Sequence, residues 1–176
     1  MTEPSTHFLY PSTIFASREP HIVNTILGSC VGVCFYDTFL KYGGINHYML
    51  PFWNGQGLAS PKFGNIAIHK LFEKMQSLGS SKRNLVAKLF GGGNIIEASN
   101  ALFMIGDRNI IVAKEMLIDL QIQIISQSVG GNLGRKIQFN TATGEVKQKM
   151  IEKQQPVNIN LVCITQNSGD NKKHIK

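Results

Sequence analysis

Residues 31–36, Val-Gly-Val-Cys-Phe-Tyr, constrain the fold most, because this run is too apolar and too rich in strand-forming residues to be anything but a buried strand. A tight turn, Leu-Gly-Ser-Cys at residues 27–30, leads into it. Cys30 therefore lies where a loop becomes a strand, a point at which a side chain can face solvent from a rigid backbone. The sequence thus predicts a buried strand with a cysteine at its start.

A histidine follows this cysteine on what we expect to be the next strand. Residues 41–44, Lys-Tyr-Gly-Gly, are predicted to form a turn, and residues 45–50 are predicted to run back as the second strand of a hairpin. This pairing brings His47 close to the strand that carries Cys30.

A cysteine beside a histidine is the arrangement that thiol nucleophiles use. A free thiol has a pKa of about 8.5 and is mostly protonated at neutral pH, so the histidine supplies a base and later protonates a leaving amine. Backbone N–H groups of Gly28 and Ser29 can point at a developing oxyanion. The sequence therefore predicts Cys30 as nucleophile, His47 as base and the turn at Gly28 and Ser29 as substrate-binding.

The residue that orients the histidine is left open by the spacing alone. The candidates close in sequence are Thr25, Asn24, Asn46 and Asp37. The alternative to a catalytic site is also open at this point, because cysteine is among the most often buried residues and Cys30 and Cys34 can both be small core hydrophobes.

Five segments of the chain agree in order and spacing with one known family. They are Leu-Gly-Ser-Cys-Val at 27–31, Gly-Gly-x-x-His-x-Met-Leu-Pro at 43–51, Phe-Gly-Gly-Gly-Asn at 90–94, Ile-Gly-Asp-Arg-Asn at 105–109, and Gly-Gly-Asn-Leu-Gly-Arg-Lys at 130–136. Over residues 20–151 the chain resembles the chemoreceptor glutamine deamidase family, CheD.

This resemblance implies an activity and a set of site residues. The activity is hydrolysis of glutamine side-chain amides on bacterial chemoreceptors, giving glutamate and ammonia, with Cys30 as nucleophile and His47 as base. It implies a threonine as the third residue, which we assign to Thr25. Some relatives place that threonine one position earlier, where this chain has Asn24. Ser128 replaces an aspartate that is common at its position.

The resemblance also implies a mechanism and partners. The reaction passes through a thioester and needs neither a metal nor an organic cofactor. The partners are the cytoplasmic helices of chemoreceptors, as protein substrate, and a CheC-type phosphatase. The fold implied is related to that of the deamidating cytotoxic necrotizing toxins.

Charge and cysteine content limit other functions. The net charge is +7, but the basic residues are scattered and are not interleaved with aromatic residues, which argues against nucleic acid. Cys30, Cys34 and Cys163 cannot all pair, and they lack the second Cys/His pair that a zinc site needs. With no run of about 20 apolar residues and no basic-then-apolar start, we expect a cytoplasmic protein without membrane insertion.

The rest of the chain alternates between strand and helix patterns, with strands expected near Ile14, at 85–90 and at 121–129, and a hairpin at 135–151. The glycine triplet at 91–93 is expected to let the backbone turn or approach another chain segment closely. Apolar residues at helical spacing predict helices around residues 68–78 and 109–120, the second capped by Asp107. Since strands outnumber helices and short turns link them, we expect an α+β fold of mixed or antiparallel β-sheets with two main outer helices. We expect one domain at 1–166, with a last strand at 157–164, and a disordered basic tail at 167–176.

Two other functions remain open. The chain can be a chemotaxis docking module that binds receptors or the CheC phosphatase without needing catalysis. It can also be a cysteine hydrolase or a transglutaminase-like enzyme that acts on another protein, because an amine can capture the same thioester.

Overall fold

The computed structural model describes residues 3–94 and 104–152, which form nine strands, two α-helices and one short 3-10 turn at Lys82–Asn84. The strands are β1 (Ser5–Phe8), β2 (Thr13–Ser17), β3 (His21–Leu27), β4 (Val31–Asp37), β5 (Tyr42–His47), β6 (Leu85–Gly91), β7 (Gln123–Val129), β8 (Gly134–Asn140) and β9 (Val146–Ile151). The helices are α1 (Gly64–Ser77) and α2 (Ile105–Asp119).

The strands form two sheets. A four-stranded sheet has the order β1-β3-β8-β9, and a five-stranded sheet has the order β2-β5-β4-β6-β7. Both are mixed, because β1 runs parallel to β3 and β6 runs parallel to β7, while the other neighbours are antiparallel. The two helices pack on the five-stranded sheet. The predicted α+β fold with mixed sheets and two outer helices is therefore confirmed.

Strand β4 lies at the centre of the five-stranded sheet and is buried on both faces. Val31, Val33 and Phe35 belong to the apolar cluster that the helices cover. Cys34 belongs to a second cluster, which contains residues of both sheets, among them Val23 and Ile137. The buried strand predicted at 31–36 is confirmed, and the fold has three layers: the helices, the five-stranded sheet and the four-stranded sheet.

The β4–β5 hairpin is confirmed, but its predicted turn is wrong. The chain turns at residues 38–41, and Gly43 and Gly44 lie inside β5. A Cβ atom on Gly43 would lie 2.7 Å from the Phe139 ring, and one on Gly44 would lie 2.9 Å from the Leu71 side chain. These glycines are therefore required by close packing on both faces of the strand and not by a turn.

Both helices are close to their predicted positions, with one correction. Gly79 follows α1 at φ 103°, as expected of a helix stop. Asp107 does not cap α2. Met104 is the N-cap residue, no side chain caps the helix, and Asp107 lies in its first turn, where it accepts a hydrogen bond from Asn94 Nδ2 (3.2 Å).

Other predictions have mixed outcomes. Strands β6, β7 and the β8–β9 hairpin were predicted, whereas β3 was not, and residues 1–20 contain β1 as well as the expected strand near Ile14. The strand at 157–164 and the tail at 167–176 lie outside the described residues. No helix of residues 3–94 or 104–152 is long and apolar enough to cross a bilayer.

Candidate active site

The turn that carries Cys30 is one of the connections between the two sheets. Strand β3 of the four-stranded sheet ends at Leu27, and β4 of the five-stranded sheet begins at Val31. Cys30 is a free, half-buried cysteine that packs on the apolar cluster between the sheets. Its side chain is thus held at the end of the inter-sheet layer.

His47, the last residue of β5, lies on the same side of the sheet as Cys30. Val31 and Tyr48 form an antiparallel bridge with N–O distances of 3.1 and 3.0 Å. This register places His47 opposite Gly32 and one diagonal step from Cys30, a spacing that side chains on one face of a sheet can bridge. The predicted hairpin therefore brings Cys30 and His47 close to each other.

Thr25 reaches His47 from the other sheet. Its Oγ1 lies 2.8 Å from His47 Nδ1 and donates its proton to the Leu9 carbonyl oxygen, also at 2.8 Å. A hydroxyl has one proton, so the bond to His47 requires Nδ1–H as the donor. Nδ1 therefore carries the proton of the neutral ring, and Nε2 keeps a free lone pair that can accept a proton.

The other candidates for this role lie elsewhere. Asn24 faces away from His47, and its Oδ1 accepts a hydrogen bond from Gln138 Nε2 (3.2 Å). Asp37 holds the turn after β4 by accepting hydrogen bonds from backbone N–H groups. Asn46 accepts a hydrogen bond from the Val33 N–H (2.9 Å). Of the four candidates, Thr25 is the one whose side chain hydrogen-bonds to the His47 ring.

Burial keeps both His47 and Cys30 uncharged. Burial lowers the pKa of His47 to about 4, although the Leu9 carbonyl acts in the opposite direction. Burial raises the pKa of the Cys30 thiol, and its own backbone N–H partly offsets this. At neutral pH the resting pair is a thiol and a neutral imidazole, so the proton must move to His47 as the sulfur attacks a substrate.

All three carbonyl groups of the nucleophile turn are bound by the protein. The Gly28 oxygen accepts from Gly93 N–H (2.8 Å), the Cys30 oxygen from Gly92 N–H (2.8 Å), and the Ser29 oxygen from Asn109 Nδ2 (2.9 Å). Within residues 3–94 and 104–152, the N–H groups of Gly28, Ser29 and Cys30 donate to no backbone or side-chain oxygen. They are available to a ligand.

The glycines at residues 91–93 make these contacts possible. Gly91 has φ 106°, and a Cβ atom there would overlap the Cys30 carbonyl oxygen. Gly92 has φ 67°, and a Cβ atom there would lie 2.5 Å from Ile110 on α2. The prediction that these glycines allow close approach of another segment is confirmed.

Asn109 is a residue of the site that sequence reasoning missed. It is fully buried on α2, and it contacts both the nucleophile turn and the strand end after His47. The sequence contained a signal, because an asparagine occupies a position on the apolar face of that helix.

A second buried polar residue, Arg135, holds the loop next to the glycines. Its guanidinium donates to the carbonyl oxygens of Ser128 and Gly130 and to Ser128 Oγ. Gly130 N–H in turn donates to the Gly91 carbonyl oxygen (2.9 Å). Ser128 thus binds Arg135 without the negative charge that an aspartate would bring.

The loop at residues 52–62, which follows the strand end after His47, carries half-buried Trp53, whose Nε1 donates to the Gln56 carbonyl oxygen (2.9 Å). Among the described residues, no group of three His, Cys, Asp or Glu side chains is placed to hold a metal ion.

Comparisons with known proteins agree with one another. The family model described as "CheD chemotactic sensory transduction" matches residues 49–150. Three similar proteins are each named "Probable chemoreceptor glutamine deamidase CheD". The one from Sulfurimonas denitrificans is 44% identical over 148 residues, which cover 83% of this chain and 94% of the relative.

The relative from Trichlorobacter lovleyi is 46% identical over 140 residues, which cover 80% of this chain and 87% of the relative. The relative from Clostridium acetobutylicum is 40% identical over 129 residues, covering 71% and 78%. With a family match over more than half of its length and these identities over most of the relatives, this chain belongs to the CheD family.

Proposed function

We propose that this protein hydrolyses the side-chain amide of selected glutamines on bacterial chemoreceptors, giving glutamate and ammonia. The relatives are named as chemoreceptor glutamine deamidases. The observation that carries the proposal is the hydrogen-bonded order Leu9 carbonyl, Thr25 hydroxyl, His47 Nδ1, which leaves His47 Nε2 as a proton acceptor beside Cys30.

The reaction begins with transfer of the thiol proton from Cys30 to His47 Nε2. The sulfur attacks the carboxamide carbon, and the oxygen becomes an oxyanion that the N–H groups of the turn, Gly28, Ser29 and Cys30, can bind. His47 then gives its proton to the departing nitrogen, the C–N bond breaks, and ammonia leaves a thioester on Cys30.

The second half of the reaction uses water in the same way. His47 takes a proton from water, which attacks the thioester carbon. The C–S bond breaks, the proton returns to the sulfur, and glutamate is released with Cys30 regenerated. Each cycle consumes one water and releases one ammonia. In this mechanism Thr25 keeps the histidine in the required tautomer.

The proposal also covers the location, the fold relation and the partners of the enzyme. We place the enzyme in the cytoplasm as one deamidase domain at 1–166, with a fold related to the deamidating cytotoxic necrotizing toxins. Chemoreceptor cytoplasmic helices are its substrate, and a CheC-type phosphatase is a second partner. We expect the site to admit a side chain that projects from a helix, because Cys30 is only half-buried.

The test is peptide mass spectrometry on the cytoplasmic part of a chemoreceptor from the same genome. The wild-type protein should convert particular glutamines to glutamate and release equal ammonia. Cys30→Ala should lower the rate at least about 1,000-fold, as for other nucleophile deletions. Cys34→Ala is the matched control, since Cys34 is a buried cysteine on β4, the strand that follows Cys30, and it should retain the rate.

Folded wild-type protein that leaves every receptor glutamine unchanged would contradict the proposal. If Cys30→Ala binds the receptor and retains the cellular effect, the docking function accounts for the chain instead. Crosslinked product in the presence of a primary amine would indicate a transglutaminase.

A further inference from the structure

Asn109 joins three parts of the site through one side chain. Its Nδ2 group donates to the Ser29 carbonyl oxygen and to the Met49 carbonyl oxygen, both at 2.9 Å. Its own backbone carbonyl accepts the Tyr48 hydroxyl at 2.6 Å. Helix α2 is therefore bound to the nucleophile turn on one side and to the two residues after His47 on the other.

The bond to Ser29 determines where the Cys30 N–H points. The Ser29 carbonyl and the Cys30 N–H belong to one planar peptide unit, and the described chain has no cis peptide bonds. In a trans unit the C=O and N–H point in opposite directions. With the Ser29 oxygen bound to Asn109, the Cys30 N–H faces away from α2.

Fold stability alone does not favour an asparagine at this position. Its Oδ1 is buried and has no hydrogen-bond partner among the described residues, and an unpaired buried acceptor destabilises a fold. The residue lies beside apolar positions of α2 such as Ile110 and Ala113, where an aliphatic side chain would be expected. What asparagine adds is one NH₂ group with two protons for two carbonyls.

We propose that Asn109 is a positioning residue for the deamidation and that it orients the Ser29–Cys30 peptide so that the Cys30 N–H binds the oxyanion. The proposal rests on the deamidase function proposed above. Asn109 does not touch the reacting atoms. Its effect passes through the backbone of the turn, and it should therefore act on transition-state stabilisation and not on the reactivity of the thiol.

The experiment compares two reactions of the same cysteine. Deamidation builds negative charge on a carbonyl oxygen, whereas alkylation by iodoacetamide displaces iodide from carbon and builds no such oxyanion. Asn109→Ala should lower kcat for deamidation about 10- to 100-fold with KM unchanged, less than the about 100- to 1,000-fold that removal of an oxyanion donor itself costs, because the Cys30 N–H is displaced and not removed. Alkylation of Cys30 should stay within about twofold of wild type.

Asn109→Leu provides a second variant if Asn109→Ala does not fold, because it fills the site with an uncharged branched side chain but loses the NH₂ donors, and it should give the same separation of the two rates. Thr141→Ala is the control. Thr141 is fully buried and accepts the His21 N–H (2.9 Å) far along β3 from the site. It should lower the unfolding temperature and leave kcat unchanged.

An unchanged kcat in the Asn109 variants, with active wild type, would overturn the proposal. A parallel fall in deamidation and alkylation would also overturn it, because Asn109 would then support the whole turn and not the oxyanion. If wild type and Thr141→Ala are both inactive, the result contradicts the deamidase function itself. This outcome differs from the two that overturn the Asn109 proposal, because both of those require active wild type.

Discussion

The two faces of β4 differ in how they are built. Toward the helices, Val31, Val33 and Phe35 are fully buried in an apolar cluster with residues of α1 and α2, which we call the helix-side core. Toward the four-stranded sheet, the same strand presents Gly32 and Cys34, and the space there also admits the buried Thr25 and His47. The helix-side face holds large apolar side chains of the strand, whereas on the other face the apolar cluster between the sheets also encloses small residues and the hydrogen-bonded pair of Thr25 and His47.

This difference means that one face of the sheet mainly stabilises the fold, while the other face carries the residues proposed for the reaction. Apolar burial is non-directional and stabilises roughly in proportion to area, so the helix-side core can hold the sheet without specifying a reaction. Hydrogen bonds are directional, and those of Thr25 and His47 determine which nitrogen carries a proton. If this separation is correct, changes on the two faces should have different readouts.

The largest predicted change in stability comes from Leu71→Ala. Leu71 is fully buried in the helix-side core and packs on Gly44 of β5. Its truncation leaves a cavity and should lower the free energy of unfolding by about 3 kcal/mol in urea denaturation. At a temperature where the variant is folded, kcat for deamidation should be that of wild type.

Ile118→Ala is the matched control, because Ile118 is 72% exposed on α2 and its truncation should change neither quantity. A fall in kcat of the folded Leu71→Ala protein would break the comparison, since the helix-side core would then also determine the position of His47.

The sequence predicts the helix-side core better than it predicts the site. The run at 31–36 and the helical spacing of residues such as Ile68 and Leu71 report burial directly, because a continuous apolar run and a regular helical period are both visible in the local sequence. The Cys30 and His47 pairing could also be predicted, since one hairpin brings the two residues together. Local order along the chain was sufficient for these features.

Features that depend on distant contacts could not be predicted in this way. The glycines at 43 and 44 suggested a turn, but the side chains that require them, Phe139 and Leu71, are remote in sequence. The contact of Thr25 with His47 needs β3 and β5 to face each other from two sheets, and no sequence period reports that packing. The resemblance to relatives supplied Thr25, while the choice against Asn24 needed the fold.

The second prediction concerns the polar face of β4, where buried His47 should make the stability of the fold depend on pH. Its pKa is about 4 in the folded protein and about 6.5 in the unfolded chain, so between these values the unfolded chain binds the proton first. Stability from neutral His47 is complete above pH 6.5 and is lost as the pH falls toward 4. From pH 7 to 5 this loss should be about 2 kcal/mol.

The measurement is urea unfolding of wild type and His47→Asn at both pH values. The loss of stability on acidification should be about 2 kcal/mol larger in wild type. Over the same range kcat/KM of wild type should be nearly constant, because His47 remains neutral in the folded enzyme. If both proteins lose the same stability on acidification, the pKa of His47 is not lowered in the folded protein, and the comparison of the two faces fails at this residue.

The smallest predicted effect separates two adjacent residues of β3. Thr25→Val keeps the shape of the side chain but removes the hydroxyl that accepts the hydrogen bond from His47 Nδ1–H. We expect kcat for deamidation to fall about tenfold, equivalent to about 1.4 kcal/mol. Thr25→Ser keeps the hydroxyl and should restore most of the rate.

Asn24→Ala is the matched change on the opposite face of the same strand. Because the Asn24 amide binds Gln138 and not His47, the rate should stay within about twofold of wild type, a difference far below the effect of Thr25→Val. Loss of rate in Asn24→Ala with normal rate in Thr25→Val would reverse the assignment. It would also mean that β3 turns its other face to the site during catalysis. The hydrogen bond between the two sheets could then not be what determines the tautomer of His47.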